Sequence, residues 1–143
     1  MNEISNEIQQ WITRKFSRRQ ARLREAAIAT YTYRKYPSPR IIFGEVTLSA
    51  NPSDTFSFTS KVTWPEHDNC EDLVVDGILD VLISSDFYPV VGANFTLEKI
   101  GWHEIESVPV AYYFAAREAT KQILRLDDKN RNFSTVISHN KDD

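Results

Sequence analysis

Two spacings of apolar residues alternate along this chain, and few folds accommodate the alternation. A period of two runs through "IIFGEVTLS", where Ile42, Val46 and Leu48 share a face, and through "TFSFTSKVT", where Phe56, Phe58 and Val62 do. The turn "ANPSD" lies between them, so these two segments are expected to pair as an antiparallel hairpin. "NCEDLVVDGILDVLISS" then spaces Val74, Val75, Ile78, Leu79 and Leu82 as a helix does. Asn69 is its expected N-cap, and Glu71 and Asp72 fall in the first turn, where the helix dipole favours acids. Tyr88-Pro89 stops this helix, and the period of two returns in "VVGANFTLEKI". From Ser107 a second long helix is expected, "PVAYYFAAREATKQILRL", with Pro109 in the first turn and the Ser107 hydroxyl accepting from the Val110 N–H. The small residues Ala111, Ala115, Ala116 and Ala119 let that helix lie close to a sheet.

Upstream, "ISNEIQQWITRKFSRRQARLRE" sets Ile4, Ile8, Trp11, Ile12, Phe16 and Leu23 mostly three and four residues apart, which predicts a helix from about Ser5 to Ala27. "ATYTYRKY" alternates around Tyr31 and Tyr33 and reads as a strand, and Pro37 and Pro39 mark a boundary after it. Beyond Leu126 the chain is polar without a sustained period, as a mostly disordered tail would be. Three parts result: residues 1–40, a basic amphipathic helix and first strand; residues 41–126, the main domain; and residues 127–143, the tail. The succession helix, strand, hairpin, helix, strand, helix predicts an α+β fold, a mainly antiparallel sheet with helices on one face.

At 143 residues and 41% hydrophobic content, the chain suits one compact core. Its single cysteine, Cys70, excludes an internal disulfide and a multi-cysteine zinc site. With no apolar run resembling a signal peptide or a membrane span, the cytoplasm is the expected compartment and no membrane partner is expected. The net charge of -3 hides opposite signs: residues 1–40 carry nine Lys or Arg against three Glu, and residues 41–143 carry eight against seventeen acids. A polyanion would be met by the first part, because phosphate binding follows local basic clusters.

"YPVVGANFTLEKIGWHEIESVPVAYYFAAREATKQ" resembles the second half of the fourth domain of bacterial elongation factor G. Pro89, Val90 and Val91 match that family's "PVV", and Gly101, Trp102 and His103 match its glycine-aromatic-histidine turn. Ile105 and Ser107 match the positions that follow, and Ala111 and Tyr112 match the helix start. "EVTLSANPSDTFSFTSKVTWPE" is similar to the family's hairpin and "EDLVVDGILDVLIS" to its first helix, so the resemblance spans Ile41 to Leu124. It implies the fold of the second domain of small-subunit ribosomal protein five, with a left-handed strand-helix-strand crossover where general rules favour the right-handed one. It also implies a tip, bearing the histidine, that enters the ribosomal decoding region. The chain departs from the pattern at "YPSPR", Tyr36 to Arg40, which stands where the family has a glycine-rich basic loop, and at Glu106 and Val108. No glycine-rich phosphate loop occurs, so no nucleotide is expected, and no cofactor is expected.

Seven residues are the candidates for RNA contact. Arg14, Lys15, Arg18, Arg19, Arg22 and Arg24 occur with no acid among them, and His103 sits at the expected tip. Glu104 and Glu106 beside His103 weaken its attraction for phosphate. An enzyme would need His103 as a base oriented by Glu106, with Cys70 or Ser107 as nucleophile, and residues so close in one turn rarely reach that geometry. "HDNCED" sets His67 and Cys70 three apart among carboxylates, but an acidic helix start explains it without a metal. The expectation is therefore a non-catalytic, metal-free domain that binds RNA or the ribosome. The competing expectation is a protein-interaction module, or a homo-oligomer, using the apolar stripe Ile4, Ile8, Trp11, Ile12.

Overall fold

The computed structural model describes residues 5–36, 41–65 and 69–139, with side chains as far as Asp127. The elements in chain order are α1 (Asn6–Ser17), β1 (Ala21–Arg22), β2 (Ala27–Lys35), β3 (Ile42–Pro52), β4 (Ser57–Ser60), α2 (Glu71–Ser84), β5 (Val90–Gly101) and α3 (Pro109–His139). They form an α+β domain with a mixed five-stranded sheet in the order β1-β5-β3-β2, β4 also pairing with β5. β2 and β3 are antiparallel from Ala27↔Ala50 to Lys35↔Ile42. β3 and β5 are antiparallel as well, whereas the short β1 and β4 run parallel to β5. No described helix is long and apolar enough to cross a membrane.

β5 organises the sheet because it is buried along most of its length, with Val90, Ala93, Phe95 and Leu97 in the core. Both its edges therefore need partners. β3 covers one, and β4 reaches the other through the four residues 53–56. This overturns the expected pairing of "IIFGEVTLS" with "TFSFTSKVT": β5 lies between them, and the antiparallel hairpin is β2–β3. The connection passes close over the start of β5, where the Ser53 N–H donates to the Gly92 carbonyl at 3.3 Å. A Cβ on Gly92 would lie 2.0 Å from the Arg22 Cβ and 2.5 Å from the Ser53 carbonyl oxygen, so only glycine fits beneath both chains. The strand-helix-strand unit β4–α2–β5 is present as a parallel pair.

Over the sheet, Val74, Ile78 and Leu82 of α2 and Tyr112, Ala115, Ala119 and Ile123 of α3 meet Val46, Leu48, Phe95 and Leu97. Each large apolar side chain so buried stabilises the fold by about 1.5–3 kcal/mol. The alanines of α3 permit the close approach, and so does Gly77 of α2, where a Cβ would lie 2.5 Å from the Tyr113 carbonyl oxygen.

Element ends depart from the sequence reading in several places. α1 stops at Ser17 and not near Ala27: Arg18 is already extended at φ -74 and ψ 163, and the next residues pair with β5. Helix propensity yields there to the open edge of β5, which takes up Ala21 N–H on the Pro89 carbonyl at 2.9 Å and Leu23 N–H on Gly92 at 3.1 Å. Leu23, counted as part of the helical stripe, is instead a core residue at 1% exposure. The N-cap of α2 is Cys70, whose side chain does not cap the helix, while the Asn69 side chain accepts from Glu71 N–H one position early, at 2.9 Å. Past Leu126, where the sequence reading has a mostly disordered tail, α3 continues to His139.

Candidate nucleic-acid interface

The six cations of the N-terminal segment do not share one helix. Ser5 opens α1 by accepting from Ile8 N–H at 3.3 Å, and Arg14 and Lys15 occupy its last turn. Arg18 closes it, Arg19 lies in the following link, Arg22 is in β1, and Arg24 comes two residues later. Their environments differ as much as their backbones do.

Lys15 does not face solvent. It is 5% exposed, and its ammonium donates to the backbone carbonyls of Asp86 and, at 3.0 Å, Phe87. Those carbonyls follow the C-terminus of α2, which carries no cation in its own last turn, so Lys15 complements that helix end from elsewhere in the chain. Its assignment to RNA contact is corrected: a buried ammonium must have its donors satisfied, and Lys15 spends them holding α1 to the α2–β5 loop. Arg18 lies over the Phe87 ring with its guanidinium carbon 4.1 Å from the centroid. Arg22 pairs with Asp54 at 2.9 Å, both side chains largely in water, a pair of small net value that a phosphate can displace. The backbone N–H of Arg24 donates to Asp127 at 2.9 Å, and the residue is exposed, as are Arg14 and Arg19. Arg19, Arg22, Arg24, Asp54 and Tyr88 line one open cleft beside the start of β5.

His103 sits at the other end of the sheet, two residues past β5. The twelve residues of β5 place it roughly 35 Å from the arginines at ~3.3 Å per residue. It is exposed, as expected of a tip. Its Nδ1 accepts from the N–H groups of Ile105 at 3.3 Å and Glu106 at 3.2 Å. The neutral ring therefore carries its proton on Nε2, away from the turn. Glu106 cannot orient it as a catalytic base, because Nδ1 is an acceptor here and Glu106 is paired with Arg34 at 3.0 Å. The Ser107 hydroxyl does not cap α3. It accepts from His103 N–H at 2.8 Å and bonds the Tyr112 hydroxyl at 3.0 Å, while Tyr112 donates to the Gly101 carbonyl at 2.6 Å. A serine two residues before the helix is thus taken by the tip, and Pro109 begins α3 with no N–H to satisfy. Trp102 turns inward and stacks on Tyr112 at 5.4 Å, whereas Ile105 is 84% exposed. Pro37 to Arg40, between β2 and β3, lie outside the described residues, as do Ile4 and His67.

Two exposed aromatics were missed in the sequence. Phe87 and Tyr88, 57% and 43% exposed, follow α2 in "SSDFYP", where an apolar pair interrupts a polar turn. That interruption was the available signal. Along α1, Ile8, Trp11, Ile12 and Lys15 fall at i, i+3, i+4 and i+7, so the face that carries Lys15 into the body also carries Ile8 and Trp11 past its edge. Ile8 is 53% exposed and Trp11 41%.

These features define an α+β domain with two candidate contact surfaces at opposite ends of one strand. No protein-family model and no curated protein matches the chain. A likeness does exist to the crystal structure of ttk003000868 from Thermus thermophilus, at 20% identity and a TM-score of 0.68, over 76% of this chain and 17% of that one. The chain thus matches less than a fifth of that protein's length, and the likeness bears on the fold.

Proposed function

We propose that this chain is a non-catalytic RNA- or ribosome-binding domain related to the fourth domain of elongation factor G, and that it binds through the arginine end of the sheet. One observation carries the binding assignment: Arg19, Arg22 and Arg24, from a link, a strand and a loop, converge on one open cleft with Arg18 beside it. Arginines gathered on one surface suit a phosphate backbone, which is recognised by charge and release of counterions. The relation to the translation factor is supported by the turn and helix match around His103 and by the sequence similarity from Ile41 to Leu124. The test is co-sedimentation with ribosomes, and binding to RNA, across a salt series. Affinity should fall steeply with salt, and changing Arg19, Arg22 and Arg24 to Gln should flatten the slope by roughly two to three units. An unaltered slope in that variant would remove this surface from the assignment.

The exposed stripe of α1 favours a second reading, a protein contact or a second copy seated on Ile8, Trp11 and Phe16. Sedimentation velocity of the wild type and of Trp11→Glu tests it. Self-association lost on that change and insensitive to salt would support it.

A further inference from the structure

We propose that Phe87 and Tyr88 form a stacking platform for an unpaired base, so that the ligand of the arginine end is single-stranded RNA. This rests on the RNA-binding reading above and specifies its ligand. The two rings stand on the surface 5.1 Å apart at 82°, more than two-fifths exposed in each case. The Arg18 guanidinium lies over Phe87, and Tyr88 shares a cleft with Arg19, Arg22 and Arg24. Cations beside exposed aromatic rings are what a flexible, unpaired strand uses, its bases on the rings and its phosphates on the arginines. A duplex keeps its bases stacked on one another and has none to offer.

The platform is held before any ligand arrives. Lys15 pins the carbonyls of Asp86 and Phe87, and the Asp86 carboxylate accepts from Phe87 N–H at 2.6 Å. Pro89 is fully buried and its carbonyl takes the Ala21 N–H. A loop fixed in this way loses little freedom on binding. Three acids near this end have partners, Asp54 with the Arg22 side chain, Asp127 with the Arg24 amide and Asp86 with the Phe87 amide.

The experiment uses the full chain and fluorescence anisotropy with a labelled oligoadenylate of about twelve nucleotides, alone and annealed to its complement, at one low salt concentration. A second strand carrying 2-aminopurine reports stacking by quenching. The single strand should bind at least about tenfold more tightly than the duplex, with quenching. Phe87→Leu combined with Tyr88→Leu should weaken single-strand binding by roughly five- to a hundredfold and leave duplex binding unchanged. Phe87→Trp, with Tyr88 intact, should retain both the preference and the quenching. Thermal melting of each variant establishes that it is folded, and the tryptophan variant keeps the proposal testable if the double leucine variant is not.

Four results would overturn the platform. A single-strand preference that survives in the double leucine variant, while the Arg19, Arg22 and Arg24 changes weaken both ligands, would refute it and leave the RNA reading standing. Loss of the preference or of the quenching in the folded tryptophan variant would also refute it. Failure of the wild type to bind either RNA would remove the RNA reading and the platform together. Self-association of the wild type, abolished by the leucine changes, would assign the two rings to a second copy of the chain.

Discussion

The two ends of β5 are built on opposite principles. At the His103 end, hydrogen-bonding groups are turned on one another: Nδ1 on two backbone amides, Ser107 on His103 and Tyr112, Glu106 on Arg34. At the Val90 end, one cation is buried as a fastener while the arginines around it remain on the surface beside two exposed rings. The first end is a turn closed on its own hydrogen bonds with Glu104 exposed beside it, and the second is a basic surface on a fixed base. Charge in the sequence thus divides into cations that build and cations that face outward, and only the second sort can meet a phosphate.

The largest difference expected between the ends is in RNA affinity. Replacing Arg19, Arg22 and Arg24 by Gln should lower it by about ten- to a hundredfold at low salt, whereas His103→Ala should change it less than about threefold in the same anisotropy titration. Equal losses would make the ends equivalent and break the contrast. Next in size, Lys15→Met should destabilise the fold by about 1–3 kcal/mol in urea denaturation, since it leaves two carbonyls short of a donor. It should also lower RNA affinity through the loosened loop, although Lys15 contacts no ligand. Ser107→Ala should cost about 1–2 kcal/mol, because it takes a partner from the His103 amide and from Tyr112.

The pH dependence sharpens the picture of the closed end. Burial is the main reason that the Tyr112 phenol is pushed up to about 12 from its ordinary 10.0, against the bond from Ser107, which lowers it. The folded state holds this proton more tightly than the unfolded chain does. Its contribution to stability is therefore complete below pH 10 and is lost as the pH rises from there towards about 12. Denaturation midpoints should fall across that window, and Tyr112→Phe should remove that part of the fall. The smallest effect is expected for His103→Ala, about 0.5 kcal/mol, since the amides it accepts from are near water. A cost of several kcal/mol would mark His103 as scaffold.

Apolar periodicity was enough to read β2, β3, β5, α2 and α3, because each presents one face to a single core and the spacing of that face records its geometry. The α+β class follows from their order. Only tertiary structure decided that β5 stands between β3 and β4, since alternation says which face is buried and not which strand lies beside which edge. It also decided where α1 ends: the pattern through Leu23 suits a helix as well as a short strand, and the open edge of β5 selects the strand. His103 and Ser107 were legible as a turn, but which donor Ser107 would serve depended on where the Tyr112 hydroxyl and the His103 amide came to lie. The roles of the six basic residues were the least legible. Lys15 and Arg19 look alike in sequence, and what separates them is that two carbonyls some seventy residues away, after the end of α2, lie within reach of one and not of the other.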